Sequence, residues 1–277
     1  MSDALVSRPA QAASTGTPAA APRASGLRTH AWRLLLLLGT VGGWELAARF
    51  KWIDPYLFSS PVAIGARLWQ LAASGAMLVH VYVTALETLL GFVIGGVLGV
   101  LLGMALALAP RVAAVLDPFV VALNGLPRVA LAPLFVVWFG IGVTSKVAVG
   151  ASIVVFICLF ATYIGMRNTD AVLLRAVKAL GATRGQILLK VELPFAIPWI
   201  FAGLKTSVAM ALIGAIIGEF IAAGRGLGWY IAYAGGTFDT TGVMAGLVLL
   251  GIMAIALDVI VARISLRFTR WKPDVPL

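Results

Sequence analysis

The sequence predicts an all-α membrane protein with about six membrane-spanning helices. Of its 277 residues, 61% are hydrophobic and 12% are charged, whereas about a quarter of the residues of a typical soluble domain are charged. Long uncharged runs recur along the chain, and about 20 apolar residues suffice for one membrane span. Composition and run length therefore indicate a single polytopic domain of residues 31–272 with short polar connections.

The two ends of the chain are predicted to lie outside this domain. Residues 1–30 are rich in Ala, Pro, Ser, Thr and Gly and cannot bury a core, so we expect a disordered cytoplasmic tail. Residues 273–277 form a short second tail. A helix that starts near Pro61 is expected to lie on the outer membrane surface. The predicted spans are residues 32–50, 77–109, 111–140, 147–166, 195–223 and 241–262.

The third predicted span contains a break. As one straight helix it would measure about 45 Å, which exceeds a hydrocarbon core of about 30 Å. The run Asn124-Gly125-Leu126-Pro127 interrupts it, because Gly and Pro both weaken the helical hydrogen-bond ladder. Arg128 follows directly. It either attracts an anion along a translocation pathway, reaches an interface or pairs with a carboxylate, and we predict that Pro127 and Arg128 line the pathway.

Other residues inside the spans also have two interpretations. Glu87 and Glu219 lie in the outer halves of their helices, where each either shapes the outer mouth of a pathway or serves as a snorkelling or paired side chain. A stripe of glycines recurs every four residues in the second span and lets another backbone approach closely. It serves either a dimer or gating seam or ordinary packing within the chain. The stripe consists of Gly91, Gly95, Gly99 and Gly103.

The longest hydrophilic interruption runs from residue 170 to 194. It keeps helical apolar spacing up to Gly181, which is placed as a residue just past a helix end. Thr183 and Gln186 have capping-box spacing, and Pro194 is predicted to close the second short helix. We expect a compact helix–turn–helix outside the bilayer that presents Ile187 and Leu188 to a groove in a partner.

This stretch resembles the EAA loop of the permease subunits of binding-protein-dependent ABC importers. The matching residues are Arg175-Ala176-Val177, Gly181 and Val191-Glu192-Leu193-Pro194, with Arg175 in place of the family's glutamate. The stretches from Leu126 to Gly142 and from Gly224 to Gly228 are similar to the nitrate, sulfonate and taurine subgroup of that family. The resemblance assigns ATPase docking to Arg175, Ala176, Lys178, Gly181, Ala182, Arg184, Ile187, Leu188, Leu193 and Pro194.

The resemblance also implies an assembly in the bacterial inner membrane. Two identical permease copies, in contact with lipid, would form the pore, separate ATPase subunits would bind ATP and Mg, and a periplasmic binding protein would deliver the solute. The resemblance and Arg128 favour a small anion such as a sulfonate, taurine or nitrate. The alternatives are a thiamine-precursor pyrimidine carried by the same machinery, or a stand-alone secondary transporter.

The sequence contains no phosphate-binding loop, so no cofactor is assigned to this chain and ATP hydrolysis is assigned to another chain. No His or Cys cluster has metal-ligand spacing. The net charge of +10 is attributed to cytoplasmic loops rather than to nucleic acid binding, and the distribution of Lys and Arg places both termini in the cytoplasm.

Overall fold

The computed structural model describes residues 26–269, with side chains from 29 to 267, and within that range the chain is helical without strands. This confirms the all-α fold class. The predicted C-terminal tail and residues 1–25 of the predicted N-terminal tail lie outside the described residues. The described helices are α1 (Gly26–Arg49), α2 (Pro55–Phe58), α3 (Pro61–Ala73), α4 (Ala76–Leu108), α5 (Pro110–Gly125), α6 (Arg128–Phe139), α7 (Val143–Arg167), α8 (Ala171–Ala179), α9 (Arg184–Ile187), α10 (Leu193–Ile221), α11 (Leu227–Gly236) and α12 (Thr240–Thr269).

Four stretches of the described chain are long and apolar enough to cross a membrane. They are Ala76–Leu108, Val143–Arg167, Arg184–Ile221 and Thr240–Arg267, and the bent pair α5 and α6 provides a fifth if it counts as one span. Helix α1 has 24 residues and contains the predicted first span. Leu34 to Leu38 on α1 are each about 60% exposed, as lipid-facing side chains are. The number of helices is therefore consistent with the prediction of about six spans.

The predicted break in the third span is present. Helices α5 and α6 meet at an angle of 90° across Leu126 and Pro127. Pro127 precedes the first residue of α6 and has φ −64°, a value that its ring fixes. The residue before a proline is pushed out of the helical region, and Leu126 accordingly has ψ 131°. The sequence Leu-Pro therefore ends one helix and starts the next.

The centre of the molecule is a block of three helices in which α7 packs against both α4 and α10. Gly91, Gly95, Gly99 and Gly103 on α4 all face α7. A Cβ atom added at Gly95 would lie 2.7 Å from the carbonyl oxygen of Ala151, and one at Gly103 would lie 2.6 Å from that of Leu159. In the described chain the glycine stripe therefore serves intramolecular packing of α4 on α7.

Several predicted boundaries were wrong. Helix α1 begins at Gly26 rather than at residue 32, and α12 extends to Thr269 rather than to residue 262. The fourth span begins at Val143 rather than at residue 147, so Lys146 lies inside a helix and not in a loop. Pro194 does not end a short helix. A π-helical turn, Leu188–Glu192, joins α9 to α10 without a break. Leu193 donates its amide to the carbonyl of Leu188, five residues earlier. This wider turn relieves the clash that a proline makes with the preceding turn of an α-helix.

The far end of the block, opposite residues 170–194, is covered by α3, α11 and α12. The sequence predicted only a connection between the last two spans here, whereas Leu227–Gly236 forms a helix. Leu227 and Ile231 of α11 pack with Leu212 of α10 and Met253 of α12 in a buried cluster. Arg67 of α3 also forms an ion pair with Asp239, just before α12. These contacts hold α11 in a fixed position on the block.

Candidate functional site

Residues 170–194, which we call the coupling segment, begin with helix α8, and local hydrogen bonds cap both ends of this helix. Asp170 accepts a hydrogen bond of 2.7 Å from the amide two residues on, at the start of α8. At the end of α8, Gly181 has φ +82°. Its amide donates to Lys178, and the amide of Ala182 donates to Val177. These two bonds form a Schellman motif, which needs a left-handed residue that glycine supplies at little cost.

The predicted capping box at the start of α9 is confirmed. The amide of Gln186 donates to Thr183 Oγ1 over 3.4 Å, and the Thr183 amide donates to Gln186 Oε1 over 2.8 Å. Arg184 also reaches the last turn of α4, where its Nη2 donates to the carbonyl of Leu108 over 3.4 Å. A cavity of about 270 Å³ lies between that turn and the coupling segment. The segment therefore has a defined conformation. It follows α7 and leads into α10 along the chain, and the Arg184 hydrogen bond attaches it to α4.

The exposed apolar side chains of this surface differ from the predicted ones. Ile187 is only 6% exposed and packs inward, so the expectation that it contacts a partner was wrong. Leu188 is half-buried. Leu180 at the α8–α9 turn is 86% exposed, and Val172 and Leu189 are about 65% exposed. The other predicted docking residues divide by exposure: Arg175, Ala176, Lys178, Gly181 and Arg184 are exposed, whereas Ala182, Leu193 and Pro194 are half-buried.

Arg128 lies at the bend between α5 and α6. Its Nη1 donates to the carbonyl oxygen of Leu123 over 2.5 Å, so it caps the end of α5. Its guanidinium also lies 4.4 Å from the centre of the Phe156 ring on α7, within the range of a cation–π interaction. Arg128 thus stabilises the bend, and the bend places a cation at the junction of two short membrane helices.

Glu219, near the far end of α10, is 1% exposed and fully hydrogen-bonded. Its Oε1 accepts a 2.6 Å bond from the hydroxyl of Thr84 on α4, and its Oε2 accepts a 2.5 Å bond from the amide of Gly228 on α11. Neither carboxylate oxygen of Glu219 reaches toward water. Glu219 therefore joins three helices from inside the protein.

Glu87 and Lys146 are buried beside Glu219, each 3% exposed. Lys146 donates to the carbonyl of Gly142 over 2.9 Å and is close enough to both carboxylates for an electrostatic interaction. Burying opposite charges together offsets part of the cost of removing each from water. Glu87 and Lys146 also border a cavity of about 420 Å³ whose rim carries Arg225.

Sequence reasoning missed Lys146 and the role of α4 at this end. Lys146 follows Gly142 and Thr144, which suggested a polar loop, and only the packing of α7 shows that the side chain is buried. His80 and Thr84 are four residues apart, so they share one face of α4. That spacing was a usable signal. The spacing alone does not indicate that the amides at the start of α11 lie opposite this face of α4.

The fold and these sites define a membrane permease: a helical bundle with buried charges, a bent membrane helix and a structured segment at one end of the bundle. The chain belongs to the family of binding-protein-dependent transport system inner membrane components, whose profile matches residues 95–271. It is the membrane-spanning transport subunit of an ABC importer and not an enzyme, since the ATPase of such importers is a separate chain.

Curated relatives match most of the chain. The riboflavin transport system permease protein of Chloroflexus aurantiacus is 36% identical over 91% of this chain and 95% of its own. The formylaminopyrimidine transport permease protein of Halalkalibacterium halodurans is 32% identical over 76% and 84%. A putative aliphatic sulfonates transport permease protein of Escherichia coli is 31% identical over 89% and 93%.

A solved structure has the same fold. It is an inward-facing form of the MetNI methionine ABC transporter, which superposes with a TM-score of 0.62 over 69% of this chain and 95% of the matched chain at 22% identity.

Proposed function

We propose that the coupling segment is the surface on which a separate ATPase subunit docks. Leu180 carries this proposal. It is 86% exposed at the tip of the segment, and the backbone beneath it is fixed by the Schellman motif. An exposed apolar side chain on a fixed backbone, close in sequence to the cations Arg175 and Lys178, suits burial in a groove of a partner protein. ATP and Mg would be bound by the docked subunit.

We further propose that two copies of this chain form the pore, and that a periplasmic binding protein delivers the solute at the end opposite the coupling segment. The described exposed surfaces of α4 and of the middle of α1, from Leu34 to Leu46, are mainly apolar, which suits contact with lipid or a second copy. The coupling segment and both termini lie in the cytoplasm in this arrangement, because Lys and Arg concentrate on that side.

For the solute, we propose a small organic anion. Arg128 and Pro127 at the bend would border its pathway, with Glu87 nearer the far mouth. Glu219, which is 1% exposed, would support that mouth from inside the protein without lining it. The sulfonates permease relative supports an anion, and a cation beside interrupted membrane helices supports a polar pathway there. The second candidate is a neutral heteroaromatic nutrient, which the riboflavin and formylaminopyrimidine relatives favour.

The docking proposal is tested by co-expressing the chain with its partner ATPase subunit and purifying through a tag on the permease. Leu180→Asp is expected to lose the ATPase, because a charge replaces the apolar anchor. The matched control is Leu57→Asp on α2, which changes an equally apolar residue that is 61% exposed outside the segment. Retention of the ATPase by Leu180→Asp, or equal loss by both variants, would refute docking at this surface.

The solute proposal is tested by ATP-driven uptake into proteoliposomes that contain the whole complex and its binding protein. Labelled taurine and an alkanesulfonate are compared with riboflavin and a formylaminopyrimidine. Uptake of the anions that falls in Arg128→Gln but not in Arg111→Gln, an exposed cation on α5, would support the pathway. Uptake of only the heteroaromatic compounds would overturn the anion and select the second candidate.

A further inference from the structure

The first three amides at the start of α11 are bound by side chains from other helices. The amide of Gly226 donates to His80 Nδ1 over 3.1 Å, and that of Leu227 donates to Thr84 Oγ1 over 2.7 Å. The amide of Gly228 donates to Glu219 Oε2 over 2.5 Å. The first amides of a helix need partners from outside it. Here α4 and α10 supply them, and we call this set of bonds the far-end network.

The network is a single chain of hydrogen bonds inside the protein. The Thr84 hydroxyl accepts from Leu227 and donates to Glu219, so it links α11 to α10 through α4. Thr84 is 0% and Glu219 is 1% exposed. A buried carboxylate that loses its donors pays the full cost of desolvation, so separation of α10 from α11 is strongly opposed.

Glycine is required where the network closes. Gly226 has φ +115°, and an added Cβ atom there would overlap the carboxylate of Glu219. An added Cβ at Gly228 would lie 2.8 Å from Glu219 Oε2. The glycines of the Gly226-Leu227-Gly228 segment therefore let the backbone approach Glu219, while Leu227 fills the apolar core beside it.

Helix α10, which carries Glu219 near its far end, is continuous at its other end with the coupling segment. The helical stretch Arg184–Ile221 contains 38 residues and spans about 57 Å. Its far half packs tightly on α7, since an added Cβ atom at Gly214 would lie 2.5 Å from the Cα of Gly150. Close packing without voids transmits displacement rather than absorbing it. A movement of the coupling segment therefore extends to Glu219.

We propose that Glu219 is a positioning residue that makes the loop at residues 222–226 and α11 move together with α10, so that displacement of the coupling segment by the ATPase moves the far mouth of the permease. This inference rests on the proposed docking of the ATPase. Glu219 acts through the backbone of α11 and touches no solute. We call the far-end network the latch, because it would make the loop at residues 222–226 follow the movement of α10.

The test follows the loop directly in the complete complex. Arg225→Cys places a thiol on the exposed loop, and the native Cys158 is buried at 1% exposure. Its reaction rate with a water-soluble maleimide is measured without nucleotide and with ATP plus orthovanadate. The parent is expected to show different rates in the two states. Glu219→Leu removes both acceptors at similar size. With this variant the difference should be lost and solute uptake should fall, while the ATPase still co-purifies.

A second pair of variants separates positioning from folding. Thr84→Val removes the linking hydroxyl at nearly constant volume and should also abolish the difference in labelling, whereas Thr84→Ser keeps the hydroxyl and should restore it. This pair decides the result if Glu219→Leu fails to fold. Glu45→Gln on α1 is the control for loss of a carboxylate elsewhere.

The outcomes distinguish the two proposals. If the parent binds no ATPase, the docking proposal fails and the latch fails with it. If the parent binds the ATPase but Arg225→Cys reacts equally in both states, or if Thr84→Val and Glu219→Leu keep the parent difference, docking stands and the latch is refuted.

Discussion

Replacement of Gly95 by alanine should destabilise the protein through a clash between α4 and α7. An added Cβ atom would lie 2.7 Å from both the carbonyl oxygen of Ala151 and the Cβ of Val154, whereas ordinary contact begins at 3.4 Å. The helices must therefore separate locally, by up to about 0.7 Å if these contacts are to become ordinary ones. Both nearest atoms belong to, or lie next to, the backbone of α7, so no flexible side chain can move away.

The cost of such overpacking is about 1–3 kcal/mol. For a chain of this size each kcal/mol changes the unfolding temperature by about 2–4 °C, which gives a decrease of roughly 2–12 °C for Gly95→Ala. The matched control is Gly251→Ala on α12, where an added Cβ atom meets nothing within 4 Å. Since alanine favours a helix over glycine by about 0.5–1 kcal/mol, the control should unfold at the same or a higher temperature.

Cys158 provides the assay. It is the only cysteine in the chain, lies on α7 and is 1% exposed. A maleimide that becomes fluorescent on reaction reports its exposure as the purified protein is heated. Equal unfolding temperatures for Gly95→Ala and Gly251→Ala would refute the intramolecular role of the stripe. Weaker self-association of Gly95→Ala at unchanged stability would instead support a seam between two copies.

Two further predictions concern single residues at opposite ends of the molecule. Gly181→Ala should cost about 1–2 kcal/mol of stability at a left-handed position and should speed tryptic cleavage of the coupling segment. Gly185→Ala, which is also in open space but has an ordinary φ, should not speed the cleavage. Equal cleavage rates for the two variants would contradict the strain at Gly181. Asp239→Ala and Asp239→Asn both lose the ion pair with Arg67, but only Asp239→Ala also loses the helix cap to the Gly242 amide, worth about 1 kcal/mol. Asp239→Ala should therefore lower the unfolding temperature more than Asp239→Asn. The pKa of Arg67 is raised by interactions with Tyr230 and Asp239, so this pair contributes below that pKa and is not lost at mildly alkaline pH; equal temperatures for the two variants would rule out the cap.

Local rules predicted the parts of the fold that depend on neighbours in sequence. The bend at Pro127 follows from the chemistry of proline. The end of α8 at Gly181 and the box formed by Thr183 and Gln186 follow from the amides and carbonyls that every helix end leaves unpaired. Each of these features needs only a few adjacent residues, so one sequence was enough to place it.

Features that depend on contacts between distant segments could not be predicted in the same way. Lys146 is buried because α7 packs against α4 and α10, and Ile187 is buried beside the cavity that it lines together with Leu108 at the end of α4. Helix α11 has no local side-chain cap, so the usual signal for a helix start was missing. Its cap comes from Glu219 and Thr84, which are 8 and 143 residues away from Leu227 along the chain.

The π-helical turn at Leu188–Glu192 sets the rotational register between the coupling segment and the membrane helix that follows it. Each residue of an α-helix rotates the chain by about 100°, so the wide turn aims the exposed face of the segment in one direction relative to α10. Deleting a single residue there would leave every contact surface chemically intact yet turn Leu180 to another side. In the proposed docking arrangement, register as much as composition would determine whether an ATPase fits this permease.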